Sequence, residues 1–180
     1  HYAGTFLSDT LVLLDAGKPD FSGSELSIFD LSAGKGALRL VVRKSAKYAF
    51  SKDAIINKPA QSWSAALAVD ADRDRVYAMD AQTRELRAFS VTGIINAYQG
   101  GSTLDWETDG VLIGEPERYF TGSVSGISAD GMLVIGGSSG YLMPGGVQLV
   151  NPDSGEIIST FDPAGTQGFY NAIYNPILRE

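Results

Sequence analysis

The chain has 180 residues, 44% hydrophobic and 19% charged, enough apolar material for one packed domain, and this excludes extended disorder as the main state. Its 21 acidic and 14 basic side chains give a net charge of −7, the opposite sign to that of a general nucleic-acid binder. With no cysteine and one histidine, at position 1, the chain offers no disulfide, thiolate or zinc ribbon, and no triad or two-histidine metal site.

In chain order, short alternating apolar segments recur between Gly, Asp, Asn and Ser clusters, which is the pattern of an all-β protein. Strands are predicted at 10–15, 25–30, 38–43, 65–70, 75–80, 85–91, 132–136, 147–151 and 156–161. Segments 51–57 and 94–99 read as short helices or loops. The longest apolar runs, such as Leu11-Val12-Leu13-Leu14 and Leu40-Val41-Val42, fall far short of the roughly 20 residues of a membrane span. The chain opens on His1 without a basic stretch and apolar run, so a signal peptide is expected to be absent or removed. Both ends read as cut from something longer, or matured by proteolysis.

Internal similarity is the most informative feature. Residues 66–91, ALAVDADRDRVYAMDAQTRELRAFSV, and 126–151, GISADGMLVIGGSSGYLMPGGVQLVN, share one scheme. Each runs strand, tight Asp-containing turn, strand, polar turn, strand. Residues 9–30 enter the scheme at its second strand, with Val12, Tyr77 and Val134 in equivalent places. Repeats are therefore expected at about 9–45, 62–95 and 124–162 within one domain. The segments around 44–62 and 94–122 are surplus, as long loops or inserted hairpins. Segment 170–178, YNAIYNPIL, reads as a first strand with no second, and the first repeat has no obvious first strand.

The segments DRVYAMDAQTRELRAFSV and GMLVIGGSSGYLMPGGVQLVNPDSGEIISTFDP resemble the repeats of YVTN- and NHL-type β-propellers. Asn151-Pro152-Asp153-Ser154-Gly155 is similar to their turn between third and fourth strands. The resemblance covers about half of the chain, in three pieces. It implies antiparallel four-stranded blades of a propeller, in a secreted or cell-surface protein, extracellular or periplasmic. Three blades do not close a ring of the usual 4–8. The expected solutions are an excerpt of a longer propeller or completion by another chain; an unrelated β-sandwich is the alternative. Propellers host unrelated functions, so the resemblance speaks for architecture.

Several residues are candidates for chemistry. Asp70, Asp72 and Asp74 have the D-x-D-x-D spacing of calcium loops, but Arg75 and Ala81 stand where such a loop has Gly and Glu. Asp105, Glu107, Asp109 and Gly110 keep the glycine, with Pro116 in the twelfth place between Glu115 and Glu117. Both sets are candidate Ca2+ ligands, against the plainer reading of polar turns. Trp106 among these carboxylates suggests a carbohydrate platform, against edge packing. Tyr141 lies in a Gly-rich loop able to reach a ligand. Lys35, Arg39, Arg43, Lys44, Lys47, Lys52 and Lys58 face one acid, Asp53, in their window. Such asymmetry marks either a docking face, for an anionic partner or another copy, or a solvated strand and loop. Tyr48 and Phe50 in that window are able to stack on a ligand. Gly122-Ser123-Val124-Ser125-Gly126 misses the nucleophile elbow, and Gly34-Lys35-Gly36 lacks the phosphate-loop spacing.

The expectation is a non-enzymatic binding or scaffold module that recognises a protein or glycan through loops on a rigid frame. The alternatives are a propeller-type metal-dependent hydrolase or lactonase resting on carboxylates alone, and a self-assembling subunit completed by neighbouring chains.

Overall fold

The computed structural model describes residues 3–17, 24–33, 38–45, 47, 67–80, 83, 85–114, 123–138 and 145–161. The first sheet is an antiparallel meander of β1 (Ala3–Phe6), β2 (Leu11–Gly17), β3 (Ser24–Asp30) and β4 (Arg39–Arg43). The second contains β5 (Leu67–Asp70), β6 (Arg75–Met79), β7 (Leu86–Ser90) and β9 (Val111–Leu112). The third contains β10 (Ser123–Ile127), β11 (Leu133–Ser138), β12 (Gly145–Val150) and β13 (Ile157–Phe161). Between β7 and β9 the chain makes helix α1 (Val91–Gly100) and the short β8 (Leu104–Asp105). β8 joins the first sheet as its fifth strand, pairing in parallel with β4, Val42 beside Leu104 and Arg43 beside Asp105. Among the described residues none of these sheets closes on itself.

The sheets stack because their apolar residues alternate. Leu11, Leu13, Leu26, Ile28 and Val42 of the first sheet share a core with Leu67, Val76, Ala78 and Phe89 of the second. The intervening residues of the second sheet, Ala68, Tyr77, Met79, Leu86 and Ala88, share another core with Val124, Leu133, Ile135 and Val150 of the third. The second sheet is thus covered on both faces. Its strands β6 and β7 carry continuous buried runs, Val76–Met79 and Leu86–Phe89, as strands buried on two faces do. The first strands of the three meanders are neighbours, with β5 lying beside both β1 and β10. In the first sheet a bulge after Leu26 shifts the β3–β4 register. Val41 and Val42 are consequently both buried, where strict alternation would expose one.

Two expectations change here. The first repeat does have a first strand: β1 pairs Ala3 with Asp15 through Phe6 with Val12. Its sequence, Ala-Gly-Thr-Phe, carries too little alternation to be read. The repeat register also moves by one residue. Leu11 and Leu13 face the second sheet as Tyr77 and Met79 face the third. Leu13 therefore takes the place of Tyr77, and Val12 points to the opposite face. Segments 51–57 and 170–178 lie outside the described residues.

Segment 94–99 is helical. Ser90 caps α1 with extended backbone, and its hydroxyl accepts from the Gly93 N–H at 2.9 Å. Asp74 adopts φ 52°, a left-handed conformation that Asp tolerates better than most residues. From there its carboxylate accepts from the Ser90 hydroxyl at 2.6 Å and from the Thr92 N–H at 2.9 Å. Gly101 ends the helix at φ 78°, returning its N–H to Ala97 and Tyr98, a position that favours Gly. Ile94 and Ala97 turn into the core. Tyr98 donates its hydroxyl to Asp30 at 3.1 Å and takes the Arg39 guanidinium on its carbonyl at 2.8 Å. The helix thus spans the first and second sheets. Replacing Ser90 with Ala is expected to lower stability by about 1 kcal/mol, read as a reduced denaturation midpoint with unchanged slope.

Candidate functional site

The strongest concentration of buried charge lies where the first and second sheets meet. β2, β4 and β6 all end on one edge of the stack, and β7 begins there. Asp15 is near the end of β2, Lys44 follows β4, Asp80 follows β6, and Glu85 precedes β7. The Lys44 ammonium is 2.8 Å from Asp80 Oδ2 and 3.8 Å from Asp15 Oδ2, with the three side chains only 2%, 6% and 2% exposed. Its Nζ also sits 4.4 Å from the centre of the Trp106 ring. Removing these charges from water is costly, and only close pairing offsets the loss. Cation–π attraction to the indole adds to the offset.

The β4–β8 pairing brings Trp106 under the lysine. Its backbone N–H donates to the Arg43 carbonyl at 2.9 Å. The indole then packs against Phe89, ring centres 5.4 Å apart and planes at 48°. Gly110 closes the loop above. An added Cβ there would lie 2.5 Å from Phe89 and 2.6 Å from the Trp106 carbonyl, so the approach requires Gly. Arg87 fastens the same loop. It donates to the carbonyls of Glu107 and Gly110 at 3.1 and 2.8 Å, and its Nε donates to Glu85 at 3.0 Å. Lys47 reaches Glu85 at 3.0 Å and Glu107 at 3.4 Å, and Ser45 donates to Glu107 at 3.0 Å. Acids and bases alternate through this junction: of the basic residues described in the 35–58 window, Lys44 is buried against Asp80, Arg39 is half-buried on the Tyr98 carbonyl, and Lys47 is exposed but paired with Glu85 and Glu107, while Arg43 is exposed.

Trp106 is therefore corrected from an exposed platform to a core residue, with no exposed surface. The parallel β8 excursion is the cause: it carries the indole beneath β4 and away from solvent. Tyr141 lies outside the described residues, as do Tyr48, Phe50, Glu115, Pro116 and Glu117. Asp105, Glu107 and Asp109 sit together in the loop, but each carboxylate is turned to a different task. Asp105 accepts from the N–H groups of Glu107 and Thr108, and Asp109 accepts from the N–H of Asp105. Asp70 binds Arg73 at 2.7 Å, Asp74 caps α1, and Asp72 is exposed. Among the described residues no three His, Asp or Glu side chains are grouped to hold a metal ion.

These bonds hold three carboxyl groups below the usual carboxylate range. For Asp105 the cause is the N–H groups of Thr108 and Glu107. For Asp74 it is the Ser90 hydroxyl and then Thr92. For Asp70 burial opposes ionisation, and the bonds and charge of Arg73 outweigh it. Burial pushes the Tyr77 phenol up, despite Arg75 beside it, and that arginine binds Asp153 of the β12–β13 turn at 2.7 Å. A carboxyl whose folded pKa lies below its unfolded value contributes stability that is full above the unfolded pKa of about 3.9. That contribution is lost as pH falls through the folded pKa. The thermal midpoint is therefore expected to hold down to about pH 4 and fall below it, and Asp74→Asn should make the fall shallower. A midpoint that rises on acidification would contradict these assignments.

Sequence reasoning missed the junction itself. Its signal was present: the apolar second strands LVLLD and VYAMD both end in Asp, at Asp15 and Asp80, and Lys44 follows the apolar strand LRLVVR. Compared with known protein families and with curated proteins, the chain shows no significant match. No helix among the described residues is long and apolar enough to cross a membrane.

Proposed function

We propose that this chain is an arc of β-propeller blades serving as a non-enzymatic binding or scaffold module. The observation that carries the reading is the arrangement among the described residues: three sheets, each with four antiparallel strands and the first extended by the parallel β8, stacked with β1, β5 and β10 side by side. Such stacking makes a rigid frame, and connections at the strand ends are then free to vary for recognition. The junction charges favour a structural role, because Lys44, Lys47 and Arg87 are held by acids and carbonyls of the same chain. The partner in this reading is a protein or glycan, met outside the cell or in the periplasm.

The test pairs two assays on the intact chain. One is a glycan and protein array; the other is a panel of lactones and glycosides, with and without Ca2+. Saturable binding to an array member without turnover is the expected result. Ca2+-dependent turnover of a lactone or glycoside would overturn the proposal in favour of a metal-dependent hydrolase. A rise in thermal midpoint with Ca2+, reversed by a chelator, would place a metal in the protein and revive the Asp105 loop as its site.

A further inference from the structure

We draw no further inference here: the strongest candidate, the outer edge of the third sheet, where β13 leaves Ile158 and Phe161 52% and 62% exposed, is an apolar edge strand with one neighbour among the described residues, and nothing in the structure shows what covers it.

Discussion

Replacing Lys44 with Ala is expected to destabilise the protein by about 3–5 kcal/mol, the usual cost of removing one partner of a buried ion pair. For a chain of this size that corresponds to a thermal midpoint lower by roughly 6–20 °C. The magnitude follows from what remains. Asp80 and Asp15 stay buried at the junction of two sheets without the ammonium 2.8 and 3.8 Å away. The Trp106 face loses its cation at the same time. A second variant separates electrostatics from lost packing. Asp80→Asn combined with Lys44→Met removes both charges and keeps most of the volume, so the double change should cost less than the sum of the singles. Strict additivity in that cycle would show that Lys44 and Asp80 do not interact.

Replacing Trp106 with Ala is expected to cost a similar amount, about 3–5 kcal/mol, because a large fully buried ring leaves a cavity that its surroundings fill only in part. The indole joins β7 through Phe89 and the Lys44 junction through its face. Urea denaturation measures the loss. A Trp on the surface would behave in the opposite way. Its removal would leave the unfolding free energy within about 0.5 kcal/mol of the parent and weaken only the binding of a ligand. Trp106→Phe keeps an aromatic body against Phe89 and should recover part of the stability.

The fold was legible where alternation was strong. All nine expected strands are present, at most a few residues from their sequence bounds, because segments such as LVLLDAG and SELSIFD carry unambiguous period-2 patterning. β1, β8 and β9 were not legible. They are two to four residues long and held by pairing rather than by their own sequence. Helix α1 was ambiguous for a related reason. Its sequence VTGIINAYQG has two glycines and β-branched residues at its start, so local propensity is weak. Caps from Ser90, Asp74 and Gly101, and packing of Ile94, decide its state.

The site divides in the same way. The loop at 105–110 was found through its carboxylates, but their partners are local N–H groups, a neighbouring Ser and a Lys, which spacing alone does not reveal. Trp106 was misplaced because its burial depends on β8 crossing to the first sheet, a tertiary event with no local signature. The Lys44 junction draws on residues 15, 44, 80 and 85, brought together only when two repeats stack. The clues in the sequence were Asp15 and Asp80 at the ends of the apolar runs of two repeats and Lys44 after an apolar strand.

The central claim is that the second sheet is covered on both faces by different sheets. Methyl-resolved nuclear Overhauser spectroscopy on the intact chain tests it most directly. The expected result is contact from the Val76 and Ala78 methyls to Leu11 and Leu13 of the first sheet. The Met79 and Leu86 methyls should instead contact Leu133 and Ile135 of the third. If Val76 and Met79, on opposite faces of β6, reported the same set of neighbours, or if either face showed none, the stacked arrangement would be contradicted.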